Sequence, residues 1–326
     1  MDKVSKFTAA ERSELFKAAA LRKGMKDAVV EKDFWVCWTL DRLFSRPDIS
    51  RTILFKGGTS LSKVFRLIER FSEDIDLILD WRLLTDEDPK AKRSNTRQDA
   101  FNKGVNESAQ MYIRDRMLPE MARTIGPLCS AAVSSEDPHI VIIKYPAAFG
   151  DKYIRPSIKL EIGPLASWIP HGEYDIIPYA AEAFPSIFER TKCKVKAIRA
   201  ERTFWEKATI LHQEASRPKG KPQPAGYSRH YYDTAMIGRS PVRNTALAEL
   251  NLLHDVVEFK KQFYPRIWAE YDKAVPGTFR LVPPAHLMEP LAKDYLAMRD
   301  MIFGVYPDFG EIIETLRDLE REINGK

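Results

Sequence analysis

Apolar positions along the chain follow two periods, one helical and one of two residues, and they separate the chain into a mixed first part and a helical second part. Residues 8–22 open on Thr8-Ala9-Ala10-Glu11, a capping box, and continue as a helix. Residues 29–45, running through Phe34-Trp35-Val36-Cys37-Trp38, carry apolar side chains at helical spacing and predict a second, largely buried helix. Thr52-Ile53-Leu54-Phe55 is a short β-rich run that stops at Lys56-Gly57-Gly58-Thr59-Ser60, and a helix is expected from there through about Ile68. Residues 72–79 then alternate and predict a strand. A polar loop over 85–97 leads to a long helix over about 97–123, and two β-branched runs at 139–145 and 156–162 predict strands joined by a loop. Residues 192–195 predict one more strand.

From Arg199 onward the helical period dominates, with helices expected over 229–237, 243–263, 286–302 and 308–323. The Pro/Gly/Lys-rich run from Arg217 to Gly226 is a loop between helices. Strands in the first 200 residues and helices afterwards imply an α+β domain over 1–198 and a helical domain over 199–326. No internal repeat is visible.

Composition adds exclusions. The 326 residues suit one large or two modest domains, and 44% apolar with 30% charged residues argues against global disorder. No run of 18 apolar residues occurs, and the first residues lack the apolar core of a secretory signal. Cys37, Cys129 and Cys193 are far apart in sequence and form no CxxC, so neither a zinc knuckle nor a disulfide framework is expected, and a reducing cytoplasm fits. The net charge of +5 hides a concentration: residues 190–229 hold eleven Lys or Arg against three acids, which leaves the rest of the chain net acidic. That segment reads as a footprint for phosphates, or more blandly as a solvated basic face.

The most informative stretch is the Gly57-Gly58-Thr59-Ser60 turn followed, one helix later, by Asp74-Ile75-Asp76. Glycine lets a backbone approach a ligand, and amides at a helix start attract phosphate. It is neither a P-loop nor a GxGxxG motif. On a strand, Asp74 and Asp76 point to one face, where two carboxylates repel unless a divalent cation such as Mg²⁺ or Mn²⁺ neutralises them. A phosphate cradle beside paired acids suits nucleotidyl transfer. The plainer alternative is a solvent-exposed Asp-x-Asp at a strand start. Glu161, mid-strand among apolar residues, is the candidate third ligand, although Lys159 shares its face and can pair with it. Phe71 and Ile75 are read as core.

In the second part, Arg199, Thr203, Lys207 and Ile210 form one helix stripe beside the apolar Phe204, Ala208 and Leu211. Lys207 at that border can extend a charge toward phosphate, or be satisfied by Glu201 or Glu206. His212 is read as structural or exposed. Asp233 either pairs with Arg229 four residues earlier or stands by Lys207, orienting its ammonium or acting as a base. His230, Tyr231 and Tyr232 are candidates for stacking on a base or binding RNA.

At four places the sequence resembles the AbiEii/AbiGii nucleotidyltransferase toxin family of the DNA polymerase β superfamily. They are Glu31-Lys32-Asp33-Phe34-Trp35; Phe55-Lys56-Gly57-Gly58-Thr59-Ser60-Leu61 with Phe71-Ser72-Glu73-Asp74-Ile75-Asp76-Leu77; Arg202-Thr203-Phe204-Trp205-Glu206-Lys207; and Arg229-His230-Tyr231-Tyr232-Asp233. The resemblance implies a polymerase-β-like mixed sheet flanked by helices and a helical C-terminal half that contributes Lys207 and Asp233 to the site. It also implies a toxin encoded beside an antitoxin, acting in growth arrest or phage abortive infection, which transfers a nucleotide from an NTP to an RNA acceptor, the tRNA 3′ end. Carried over, Asp74 and Asp76 hold the metal, Lys207 contacts the triphosphate, Asp233 completes the site, and Ser72 matches a position that relatives can have phosphorylated. The family's Gly-Ser reads Gly-Gly-Thr-Ser here, which leaves open whether Thr59 or Ser60 holds the phosphate. Lys56, Gly57, Gly58, Thr59, Ser60, Ser72 and Arg229 make up the candidate nucleotide-binding set. Two rivals are a phosphotransferase that moves the γ-phosphate to protein and a basic RNA-binding protein without catalysis.

Overall fold

The computed structural model describes residues 1–72, 74–150 and 154–325. The chain divides into two compact units, one of Met1–Val64 with Phe71–Ile198 and one of Phe65–Arg70 with Arg199–Lys326. Among the described residues no helix is long and apolar enough to cross a membrane.

The first unit is built on one mixed sheet. Its strands are β1 (Ile53–Lys56), β2 (Asp74–Leu79), β3 (Ser130–Val133), β4 (Ile140–Lys144), β5 (Ser157–Gly163), β6 (His171–Ile176) and β7 (Cys193–Ile198). They lie side by side in the order β3-β4-β5-β2-β1-β7-β6. β2 with β5 and β1 with β7 are parallel, and the remaining neighbours are antiparallel. Alternation decides the faces. Ile53, Phe55, Ile75, Leu77, Leu79, Leu160 and Ile162 enter the main core with Phe34, Trp35 and Trp38 of the helix Asp27–Phe44. Leu54 and Ile78 point the other way, to a smaller cluster with Ala166 and Ile198. Trp35 stacks on Tyr145 with ring centroids 5.5 Å apart and meets Trp38 edge-on.

The helix Asp27–Phe44 also buries charge. Glu31 accepts the backbone N–H groups of Ala148 and Phe149 at 2.7 and 3.2 Å. Asp33 accepts the N–H of Tyr179 at 2.7 Å and pairs with Lys63 at 2.6 Å, and the Lys63 ammonium lies 3.7 Å from the centroid of the Tyr179 ring. The Lys32 ammonium donates to the carbonyl of Arg155. Acids and lysines inside a core are tolerated because each is paired. Burial works against the Lys63 ammonium, but the Asp33 carboxylate and its hydrogen bond outweigh it, and the pKa moves up.

Most expected elements are present, including the capping box, in which Thr8 accepts the N–H of Glu11 and the Glu11 side chain accepts the N–H of Thr8. The exceptions have identifiable causes. β3 and β6, which the alternation pattern does not reveal, are the two edges of the sheet, where Ser130-Ala131-Ala132-Val133 and His171-Gly172-Glu173-Tyr174 are half-exposed and carry little apolar signal. The helix expected to reach Ile68 stops at Lys63; Arg66 then takes a left-handed φ of 54°, and Phe65–Arg70 belongs to the other unit. The expected helix over 97–123 runs from Asn95 to Ile125 through a π turn at Ile113–Met117.

The second unit is helical apart from a single antiparallel bridge between Arg70 and Ile302 among its described residues. The helix Ala200–Ala215 buries Phe204, Trp205, Ala208 and Leu211, and the Trp205 indole donates to the carbonyl of Ala246 at 3.0 Å. The expected helix over 243–263 is two, Val242–Ala248 and Leu250–Phe263, separated where Glu249 leaves helical geometry. The helix Ser228–Gly238 meets Phe309–Ile323 so closely at Gly238 that a Cβ there would lie 2.3 Å from Leu319.

Lys63→Ala leaves a buried carboxylate on Asp33 without its cation. It should destabilise the protein by about 3–5 kcal/mol, read as a fall in the urea midpoint with an unchanged slope.

Candidate active site

In the first unit, β1 delivers Lys56 to a turn at Gly57, whose φ of +81° lies in the left-handed region that favours glycine. A Cβ on Gly57 would lie 1.9 Å from Oδ2 of Asp76. The Asp76 carboxylate therefore occupies the volume a side chain at 57 would need. Cross-strand register adds the neighbours: Lys56 on β1 and Glu161 on β5 both stand opposite Asp76, and Lys159 stands opposite Asp74. Paired residues share a face, so Lys56, Asp74, Asp76, Lys159 and Glu161 all lie on the side of the sheet away from Ile75 and Leu77. Ser72 is half-buried on the approach to β2, and Glu73 lies outside the described residues.

Thr59 and Ser60 have a different placement from the one the motif suggested. Thr59 is 3% exposed and donates to the carbonyl of Asp74; Ser60 is 0% exposed and donates to the carbonyl of Gly57 at 2.9 Å. Both hydroxyl protons go to backbone carbonyls, so these residues brace the turn rather than offer donors to a phosphate. The turn's own donors are the amides at the start of the helix Gly57–Lys63, whose N-cap residue Lys56 makes no side-chain cap hydrogen bond.

The donor set fits a hard divalent cation that takes one or two carboxylates from protein and the rest of its ligands from water and substrate phosphates. Asp74 and Asp76, on one face of β2, would be that pair. Glu161 stands beside Asp76 in register but is exposed, and among the described residues no three His, Cys, Asp or Glu side chains converge as a ligand group.

In the second unit, Lys207 and Asp233 meet. The Lys207 ammonium lies 2.7 Å from Oδ2 of Asp233, which is 0% exposed. The sequence reading missed the third member: Arg70 donates from Nε and Nη2 to the two oxygens of Asp233 at 2.6 and 2.7 Å. The only trace of Arg70 in the sequence is a basic residue directly before the Phe71-Ser72 motif. Burial opposes the Asp233 carboxylate, but Arg70 and Lys207 outweigh it and hold its pKa well below the usual carboxylate range. The ionised carboxylate is thus the partner of the Lys207 ammonium. Arg229, one turn earlier on the helix, is exposed. Burial, with Lys207 and Arg229 nearby, pushes His230 well below its ordinary value and keeps it neutral. His212 is structural, since Nδ1 accepts the N–H of Arg280 at 3.0 Å and Nε2 contacts the carbonyl of Glu270 at 3.1 Å.

The basic segment does not survive folding as one surface. Arg190, Lys192, Arg199, Arg202, Lys207 and Arg217 pair with Asp41, Asp175, Glu201 and Glu249, Glu206, Asp233, and Glu214 respectively. Lys194 and Lys196 stand opposite Asp175 and Glu173 across the β6–β7 ladder. Lys219, Lys221 and Arg229 remain as exposed cations on and beside one loop of the second unit. That loop is anchored where Asp294 accepts the N–H groups of Gly226 and Ser228 at 2.6 and 2.8 Å.

Two outcomes follow from this geometry. Gly57→Ala must move Asp76 and strain φ, so it should cost about 1–3 kcal/mol in thermal unfolding. Asp233→Asn leaves two buried cations without a carboxylate and should destabilise by about 3–5 kcal/mol. A group with a depressed folded pKa contributes stability above its unfolded value near 4 and loses it only as pH falls through the folded value. The cost of Asp233→Asn in chemical denaturation should therefore be the same at pH 8 as at pH 6.

The family described as nucleotidyl transferase AbiEii toxin, type IV TA system, matches residues 38–318, a span that begins after Glu31–Trp35 and takes in the Gly57 turn, both aspartates, Lys207 and Asp233. Among solved structures the chain is similar to MenT4, a nucleotidyltransferase toxin from Mycobacterium tuberculosis H37Rv, at 17% identity and a TM-score of 0.44 over 97% of this chain and 98% of that one. It is also similar to JHP933 from Helicobacter pylori, at 14% identity and a TM-score of 0.45 over 91% of this chain and 92% of that one. No curated protein sequence matches the chain. With a match that covers well over half its length, this chain belongs to the AbiEii nucleotidyltransferase toxin family of type IV toxin–antitoxin systems.

Proposed function

We propose that this toxin transfers a nucleoside monophosphate from an NTP to the 3′ end of an RNA, with tRNA as the acceptor, and that Asp74 and Asp76 hold a divalent cation for the reaction. The observation that carries the proposal is the close approach of the Asp76 carboxylate to the Gly57 turn, which sets an acid beside the backbone amides that open the helix Gly57–Lys63. A cation held there by Asp74 and Asp76 would neutralise the triphosphate and help activate the attacking hydroxyl. Gly57 and Gly58 offer amides to phosphate oxygens, and Lys56, on the same sheet face as Asp76, adds positive charge. Lys207, held by Asp233, presents an ammonium suited to a phosphate. Lys219, Lys221 and Arg229 suit the RNA backbone, a contact that weakens with salt. The tRNA acceptor follows from the family resemblance, as do a cognate antitoxin and a cytoplasmic setting.

The test incubates the protein with total RNA and each α-labelled NTP, then with γ-labelled NTP. Label from the α-position should enter RNA and label from the γ-position should not. EDTA, Asp74→Ala and Asp76→Ala should each reduce incorporation to background while the fold, followed by circular dichroism, persists. Transfer of γ-label to protein would establish the phosphotransferase alternative. Salt-sensitive RNA binding that ignores EDTA, with no label moved, would establish a binding protein.

A further inference from the structure

We infer that Arg70 is a positioning residue for Lys207, acting through Asp233 to fix where the lysine ammonium stands. This rests on the nucleotidyl-transfer reading and adds to it a residue that no motif assigned.

The three side chains come from three elements of the second unit: Arg70 from the Phe65–Arg70 segment, Lys207 from the helix Ala200–Ala215 and Asp233 from the helix Ser228–Gly238. A lysine alone reaches out on a flexible four-carbon stem, and its single contact to a carboxylate leaves that carboxylate free to rotate. The guanidinium of Arg70 removes that freedom. Its fork engages both oxygens of Asp233 and fixes the plane of the carboxylate, so the same Oδ2 that takes an Arg70 hydrogen bond presents one defined direction to Lys207.

The arginine is itself held from two sides. The N–H of its neighbour Glu69 donates to the Tyr232 hydroxyl at 3.3 Å, and the Glu69 carbonyl accepts the N–H of Phe303 at 2.9 Å. The Glu69 side chain accepts the N–H of Val305 at 3.2 Å and occupies the space where a Cβ on Gly304 would stand. Arg70 forms an antiparallel bridge with Ile302. Held in this way, the backbone sets the reach of the side chain, and a lysine at 70 could supply charge but not the two-pronged geometry.

The experiment measures NMP transfer by the full chain for wild type, Arg70→Lys, Arg70→Gln, Asp233→Asn and the Arg70→Gln/Asp233→Asn double variant, with folding checked by circular dichroism. Arg70→Gln should lower kcat/KM for the NTP by roughly 10–100-fold with KM raised, because a misplaced ammonium binds phosphate poorly. A variant that merely folds less well shrinks the active fraction and leaves KM unchanged. Arg70→Lys should recover part of the loss, and the double variant should be no worse than Asp233→Asn alone. An Arg70→Gln protein that is folded and within about twofold of wild type, or a double variant showing the product of both losses, overturns the inference. Should Arg70→Gln fail to fold, Arg70→Lys decides: a raised KM in a folded protein supports the inference and a wild-type KM overturns it. Absence of transfer by wild type overturns the functional reading and this inference with it, whereas wild-type transfer with Arg70 variants unchanged overturns the inference alone.

Discussion

The Asp76 carboxylate sits in the space that every residue but glycine would fill at position 57. The geometry of the turn depends on that exclusion. A left-handed turn at the end of β1 requires a residue without a Cβ, and the missing atom is also what lets the second acid of Asp74-Ile75-Asp76 lie against the turn. β2 lies between β1 and β5, so the register that places Asp76 also sets Lys56 and Glu161 on either side of it. Core packing on the opposite face by Ile75, Leu77 and Leu79 holds this register, because a slip of one residue would exchange the acids for the apolar side chains.

Charge is handled differently in the two units. In the first, Glu31, Lys32, Asp33 and Lys63 are drawn into the interior and answered by backbone groups or by one another. These contacts tie the helix Asp27–Phe44 to the segments around Ala148 and Tyr179. In the second, Asp233 is buried between two cations, and the favoured state is a permanently ionised carboxylate. The two cations hold that carboxylate in its charged form, and it links Arg70 to Lys207.

The basic segment shows how a charge count in sequence differs from a surface. Eleven cations in forty residues suggest a continuous footprint, yet the helix and strand periods send them to different partners. Arg202 turns inward to Glu206 and Lys207 to Asp233, while the strand lysines face acids on β6. What stays exposed near the loop is Lys219, Lys221 and Arg229, three residues whose neighbours are proline, glycine and a helix start. Local composition registers the number of charges, and pairing, which is a property of distance, decides how many are left for a ligand.

Local physics is enough to read the helices, the central strands, the glycine turn, the paired aspartates and the apolar stripe that puts Lys207 at the edge of a core, because each depends on residues within a few positions of one another. The polar edge strands β3 and β6 escape that reading, since an edge buries only part of one face. The inward turn of the Thr59 and Ser60 hydroxyls escapes it too, because their acceptors are main-chain carbonyls whose direction is set by folding. Arg70 is the clearest case. It lies 163 residues from Asp233, and no periodicity or motif links two positions so far apart. Only when the segment Phe65–Arg70 joins the helical unit do guanidinium and carboxylate come within hydrogen-bonding distance, and an interaction that decays over a few ångströms is invisible until the chain has closed that separation.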